Sequence, residues 1–142
     1  MEVVKNVEEG VTVETTVQTY VDLLSAMYNV QDLPGLKFAQ KVADNIGTLE
    51  ASLKPLHDEL QPSEEFDVFA ARVRAEAGND AEKRKALEDE YPELVAERHA
   101  QLEKGQEMLL TPLKLTLRKF HTNELPNDIT ARQLKALKSV IN

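Results

Sequence analysis

The feature that most constrains the fold is a repeat of apolar residues within LPGLKFAQKVADNIGTLEASLKPLHDEL, residues 33–60. The repeat, at intervals of three and four, consists of Ala39, Val42, Ile46, Leu49, Leu53, Leu56 and Leu60. This spacing places the side chains along one face of an α-helix, and that face needs a second apolar surface to cover it. The cover is either the protein's own core or a second chain in a coiled coil. Because other amphipathic helices are predicted in the same chain, we favour the core, and a homo-oligomer stays open as the alternative.

Helices on both sides of this repeat are predicted from capping residues and apolar stripes. The predicted N-terminal caps are Thr15, Ser63, Asp80 and Thr130. The predicted buried stripe of the first helix is Val17, Tyr20, Val21, Leu24 and Tyr28. The predicted stripe of the helix after Ser63 is Phe66, Phe69, Ala70, Val73 and Ala77. The predicted stripe of the last helix is Leu134, Leu137, Val140 and Ile141.

Prolines and glycines divide the middle of the chain. Pro55 lies inside the long repeat and predicts a bent helix or a restart, because proline removes one backbone donor. Gly78 suits the residue that follows a helix end. The charged stretch after Asp80 has the predicted inner stripe Leu87, Tyr91, Leu94, Arg98 and Leu102. Pro92 within this stretch predicts either a kink or the first turn of a new helix.

Two stretches have the alternation of half-buried β-strands instead. Val11, Val13 and Thr15 alternate with polar residues near the N-terminus, after a β-favouring EVVKNV and a turn-forming EEG. Leu113, Leu115 and Leu117 alternate in the same way. We therefore predict a mostly helical α+β fold with antiparallel long helices, in which a small β-sheet joins an N-terminal hairpin and a C-terminal strand. We expect a single domain over residues 1–142.

Composition narrows the functional classes. No apolar run approaches the roughly 20 residues that cross a bilayer, and the N-terminus has no secretory signal, so we expect a cytosolic protein without membrane contact. The absence of cysteine excludes disulfides and thiolate sites. The net charge of −8 argues against direct nucleic-acid binding, which requires neutralisation of phosphates by Lys and Arg.

The charge is nevertheless distributed unevenly along the chain. Residues 113–142 hold six Lys and Arg against two Asp and Glu, a net charge of +4, and the other 112 residues therefore carry −12. The candidate partner-binding residues are Lys114, Arg118, Arg132, Lys135 and Lys138. Arg132, Lys135 and Lys138 recur every three residues and are predicted to form a charged stripe on the last helix. The alternative is that this basic end only neutralises acidic helices of the same molecule.

No pattern of catalytic chemistry is present. The three histidines are far apart in the sequence, and the serines lack the flanking glycines of a nucleophile elbow. The five glycines form no phosphate-binding loop. His99 and Glu103 have the spacing for half of a metal site, but such pairs on charged helices are usually exposed salt bridges. We therefore predict no catalytic, cofactor-binding or metal-binding residues, no cofactor and no enzymatic activity.

The second half of the chain carries a family resemblance. A charged helix leads into LKLTLRKF, then an ELP turn and a short terminal helix rich in leucine. This arrangement resembles small helical proteins of unassigned function from tailed phages and prophages, and a Leu-Pro-Gly turn after a short helix agrees with them in the first half. The resemblance implies a viral origin and assigns no catalytic residues.

These observations lead to a functional expectation. We expect a non-enzymatic phage protein in the host cytoplasm, which binds a protein partner of the host or the phage and modulates a host factor or assists assembly. The first alternative is a structural component of the virion, such as a tail or connector piece. The second alternative is an acidic mimic of nucleic acid.

Overall fold

The computed structural model describes residues 10–141, and in that range the fold is α+β and mostly α, as predicted. The strands are β1 (Gly10–Thr16) and β2 (Pro112–Arg118). The helices are α1 (Val17–Val30), α2 (Leu36–Leu60), α3 (Glu64–Glu76), α4 (Ala81–Glu90), α5 (Pro92–Leu109) and α6 (Ala131–Ala136). Short 3₁₀ turns cover Thr122–Glu124 and Lys138–Val140. The first arm of the predicted hairpin lies outside the described residues.

The chain forms two compact units. The first unit joins the residues up to Lys54 with those from Leu109 onward, and the second unit is Pro55–Met108. Helix α2 contributes to both, since its last six residues belong to the second unit. The helix continues through Pro55 without the restart that we considered. That residues 1–142 form a single domain stays a prediction.

The sheet of the first unit joins residues from the two ends of the described chain. Strands β1 and β2 are antiparallel, with Val13 opposite Leu115. The Tyr20 side chain is fully buried beneath them, and its hydroxyl donates a hydrogen bond to the Val13 carbonyl and accepts one from the Leu115 amide at 3.2 Å. A single phenol thus bridges the two strands and fastens them to helix α1.

The apolar repeat of helix α2 forms part of the first unit's core, as we favoured. Val42, Leu49 and Leu53 are buried in one cluster with residues of α1, β2 and the C-terminal segment. Phe38 also joins this cluster, and its ring lies 5.1 Å from that of Phe120. The repeat therefore packs within its own chain, and its cover comes from both ends of the sequence.

Two predicted stripes differ from the observed buried faces. Helix α1 buries Tyr20, Leu23, Ala26, Met27 and Val30. Tyr28 is exposed instead and donates a hydrogen bond to Glu50 at 2.8 Å. The cap of α1 is Thr16, one residue after the predicted Thr15. In the last stripe, Leu134 is 37% exposed because helix α6 ends at Ala136 and a 3₁₀ turn changes the period.

The second unit is built from three helices and the end of α2. Ser63 and Asp80 cap α3 and α4 as predicted, and Gly78 takes the positive φ of 52° after α3. Pro92 begins the new helix α5. The small core consists of Phe69, Val73, Ala77 and Leu87. Tyr91 and Leu102 of the predicted inner stripe are partly exposed, at 39% and 42%.

Side chains of α5 hold the end of α2 inside this second unit. The Arg98 guanidinium donates to the Leu60 carbonyl at 2.7 Å, and the Gln101 amide donates to the carbonyls of Glu59 and Gln61. These bonds satisfy carbonyl groups that a helix C-terminus leaves without partners. A Cβ atom at position 105 would overlap the Leu60 side chain, so Gly105 allows the close approach of the two helices. Among the described residues, no helix has both the length and the apolar character to span a membrane.

We predict that Leu49→Ala lowers the free energy of unfolding by about 2–5 kcal/mol, because it leaves a cavity in the core of the first unit. Leu36→Ala on the same helix is the matched control, since Leu36 is 76% exposed, and it should change stability by less than about 0.5 kcal/mol. Urea denaturation measures both. If Leu49→Ala instead dissociates an oligomer without loss of stability, the repeat is an interface.

We predict that Tyr20→Phe costs about 1–3 kcal/mol at neutral pH, because a buried carbonyl and a buried amide lose their partner. Burial raises the pKa of Tyr20 above its ordinary value of 10, although the Leu115 amide opposes this shift. The stabilisation is therefore present below pH 10 and is lost as the pH rises beyond it. The difference between wild type and Tyr20→Phe should narrow in alkaline solution. A difference that is independent of pH would contradict the assignment.

Candidate functional site

The C-terminal segment, which contains the predicted partner-binding residues, is fastened to helix α2 by a buried lysine. The Lys41 ammonium is 2.7 Å from the Glu124 carboxylate and donates to the Lys119 carbonyl at 2.8 Å. The two side chains are only 5% and 11% exposed. Because an ammonium removed from water needs partners for its protons, these contacts fix the chain after β2 at one position.

A second polar side chain of α2 holds the end of strand β2. The buried Asn45 amide donates to the Arg118 carbonyl at 3.0 Å and accepts from the Arg118 amide at 2.7 Å. One side chain thereby satisfies both backbone groups of Arg118, as a neighbouring strand would. The preceding residue, Asp44, forms a salt bridge of 2.6 Å with the Arg118 guanidinium at the surface.

Helix α6 is held in place at both ends. Thr130 and Gln133 form the predicted capping box, and the Gln133 side chain also reaches the Asn29 carbonyl at the end of α1, at 3.4 Å. After the helix, Leu137 and Val140 are fully buried. The Phe120 amide donates to the Val140 carbonyl at 2.8 Å. The chain is therefore anchored to the first unit at Gln133 and after the end of α6, although no residue of α6 itself is buried.

Three cations of this segment remain at the surface, and we call them the basic stripe: Arg132 and Lys135 lie on α6, and Lys138 lies in the 3₁₀ turn after the helix rather than on the helix as predicted. All three side chains are exposed, and none forms a salt bridge within residues 10–141. The partly exposed Leu134 lies among them in sequence and adds apolar area. Arg132 also borders a cavity of about 340 Å³ between α1 and α6. The basic stripe therefore presents cations on an exposed segment that is anchored to the first unit through Gln133, Leu137 and Val140.

The two predicted residues on strand β2 are placed differently. Lys114 is exposed but lies directly opposite Glu14 in the sheet register, where opposite charges attract across the strands. Arg118 is bound to Asp44. Acidic neighbours thus compensate both charges, and the structure does not bring these two residues into the basic stripe.

The environment of Glu124 changes its acidity. Burial alone would raise the pKa of this carboxyl, but the Lys41 ammonium and the His121 amide donate hydrogen bonds to it and lower the pKa below its ordinary value of 4.5. The Glu124 carboxyl is therefore ionised at neutral pH. Its contribution to stability is present above pH 4.5 and is lost as the pH falls further.

The arrangement supports recognition by charge. Exposed Lys and Arg side chains attract carboxylates or phosphates of another molecule, and such charges chiefly raise the rate of association. Within residues 10–141, no three His, Asp or Glu side chains are grouped so that they could hold a metal ion.

The residues that sequence reasoning missed are those that position the site. Lys41, Asn45 and Glu124 are separated in sequence from their partners by 73 to 83 residues. One signal was present in the sequence. Lys41 and Asn45 directly precede Val42 and Ile46 in the sequence of α2, so two polar residues adjoin the apolar repeat.

Comparison with known proteins gave no match: no protein-family model, no curated protein and no solved structure is similar to this chain.

We predict that Lys41→Met lowers the free energy of unfolding by about 3–5 kcal/mol, because it leaves a buried carboxylate without its partner. The double variant Lys41→Met/Glu124→Met should recover most of that loss, since no buried charge remains. Denaturation at neutral pH and in acid measures both effects. Wild type should lose stability as the pH falls below 4.5, and Lys41→Met should not show this loss. Equal costs for the single and double variants would contradict a coupled pair.

Proposed function

We propose that this chain is a small phage protein that acts in the host cytoplasm by binding another protein, without catalysing a reaction. The viral origin rests on the resemblance of the charged helix, the LKLTLRKF strand, the ELP turn and the leucine-rich terminal helix to proteins of tailed phages. The partner is a host factor or a component of phage assembly.

The observation that carries the proposed mode of action is the basic stripe. Its three cations have no acidic neighbour within salt-bridge distance in the described part of the chain, although the protein as a whole carries −8. A surface that served only to neutralise its own molecule would show ion pairs like that of Arg118 with Asp44. The proposed partner therefore presents an acidic surface to Arg132, Lys135 and Lys138.

The support beneath the stripe favours recognition of a folded surface. Helix α6 is capped at its start and anchored by two fully buried side chains after its end. Cations on a fixed support lose little conformational freedom on binding, which favours affinity. A protein of net charge −8 is repelled by the phosphate backbone of nucleic acids, so an acidic protein surface fits the stripe better.

We predict that Arg132→Glu/Lys135→Glu/Lys138→Glu abolishes partner capture while the fold stays intact. Exposed charges far from partners change the free energy of unfolding by less than about 0.5 kcal/mol each. The measurement is affinity capture from a lysate of infected bacteria at low and at moderate salt. Wild type should retain a specific protein at low salt and release it as the salt is raised, because surface charges are screened.

The matched control is Lys37→Glu/Lys83→Glu/Lys85→Glu, which introduces the same change of charge at three exposed positions outside the stripe. The control should capture the partner as wild type does. Capture that survives reversal of the stripe would contradict the proposal. Copies of the protein in purified phage particles would instead favour the virion component.

A further inference from the structure

The whole net charge of the protein lies on the second unit. Residues 55–108 contain seven Lys and Arg against fifteen Asp and Glu, a net charge of −8, whereas the remaining residues contain ten of each and are neutral. The basic stripe belongs to the neutral unit. The acidic unit therefore needs a separate explanation.

This acidic unit contains an open groove of about 680 Å³ between α3 and the junction of α4 and α5. One wall is a single face of α3, formed by Glu65, Val68, Phe69 and Arg72. The other wall is formed by Glu90, Tyr91, Pro92, Glu93 and Leu94. Most of the exposed lining is apolar, and Val68 in the α3 wall is 72% exposed.

Aromatic packing and one arginine give the groove its shape. The ring of Phe69 lies 5.3 Å from that of Tyr91, which joins the two walls at the base. The Arg72 guanidinium donates to Glu76 at 2.7 Å and to the Tyr91 hydroxyl at 3.0 Å, and it lies 3.8 Å from Glu90. Arg72 is therefore engaged by its own unit and offers little positive charge to a ligand.

The rim of the groove keeps two carboxylates that have no cationic partner. Glu65 and Glu93 form no salt bridge among the described residues. Each stands in the first turn of a helix, α3 or α5, near the positive end of the helix dipole. The groove thus combines an apolar floor with negative charge on both walls.

We infer that this groove binds a short basic segment of another protein, with one or two apolar side chains on the floor and Lys or Arg side chains at Glu65 and Glu93. The wall from Glu65 to Arg72 contains eight residues of helix, and the seven steps of about 1.5 Å between them give a length of roughly 10 Å. This length accommodates about two turns of a helix or about three residues of an extended chain. A short linear segment fits these dimensions, and the open mouth admits a continuous chain.

The probe is a fluorescein-labelled peptide of about eight residues with two central leucines flanked by Lys and Arg, matching the length of the groove. Fluorescence anisotropy at low salt measures its binding to the full chain. Two control peptides carry either Glu in place of Lys and Arg, or Ser in place of Leu. The basic apolar peptide should bind at least about tenfold more tightly than either control.

The variant Glu65→Gln/Glu93→Gln should weaken this binding by about tenfold, because both rim charges are removed. Glu82→Gln/Glu103→Gln makes the same change of net charge at exposed positions outside the groove and should bind as wild type does. Val68→Ser should also weaken binding by up to about tenfold, since it removes apolar contact area. Leu36→Ser is its control, because Leu36 is 76% exposed on α2.

The inference would be overturned if the basic peptide did not bind the wild type, or if both groove variants bound it as tightly as the wild type does. Equal binding of the peptide with Glu in place of Lys and Arg would overturn the basic character of the ligand. The reversal variant of the basic stripe separates the two proposals, because it should capture no partner yet bind the peptide like wild type.

Discussion

The first unit depends on burying the Lys41 ammonium. An unpaired ammonium in the protein interior would cost several kcal/mol, so the fold must bring a carboxylate and a carbonyl to it. Glu124 and Lys119 provide these groups from a segment about 80 residues away in sequence, at 2.7 and 2.8 Å. Their position fixes the chain between β2 and α6. Leu137 and Val140 are buried in the core, and their packing determines where the basic stripe lies.

Buried polar side chains also fasten strands β1 and β2 to helices α1 and α2. The Tyr20 hydroxyl bridges β1 and β2, and Asn45 satisfies the last residue of β2 from the side. A two-stranded sheet is only marginally stable by itself in water. Among residues 10–141 the sheet has two strands, and buried polar side chains from the two helices bind backbone groups of both strands. The sheet therefore depends on helical side chains as much as on its own ladder.

Helix caps and helix starts were predictable from the sequence, because the residues that determine them lie within a few positions of the helix end. The caps Thr130, Ser63 and Asp80 are as predicted. Pro92 begins a new helix, which is one of the two alternatives that the sequence left open. The cap of α1 moved by one residue because Thr15 and Thr16 are chemically alike. Leu134 was predicted to be buried on the assumption that the helical spacing continues beyond Ala136. The helix ends at Ala136, and Leu134 is partly exposed.

The long-range contacts were not predictable in this way. A lysine inside an amphipathic helix usually reaches solvent, and nothing near Lys41 in the sequence indicates Glu124 as its partner. Three of the five predicted binding residues form the exposed stripe, whereas Lys114 and Arg118 are balanced by Glu14 and Asp44 through strand register and packing. The groove of the second unit escaped notice because its carboxylates resemble an ordinary solvated helix face.

The central claim is that the C-terminal segment is a rigid part of the first unit's core and so presents its charges at a fixed surface. Amide hydrogen exchange tests this claim most directly, because the amides of Phe120, Leu137 and Val140 donate to backbone carbonyls within the segment. The account predicts that these amides exchange with the same free energy of opening as the amide of Leu49 in helix α2. Rapid exchange of the three amides while Leu49 stays protected would show that the segment opens independently, and it would contradict the account.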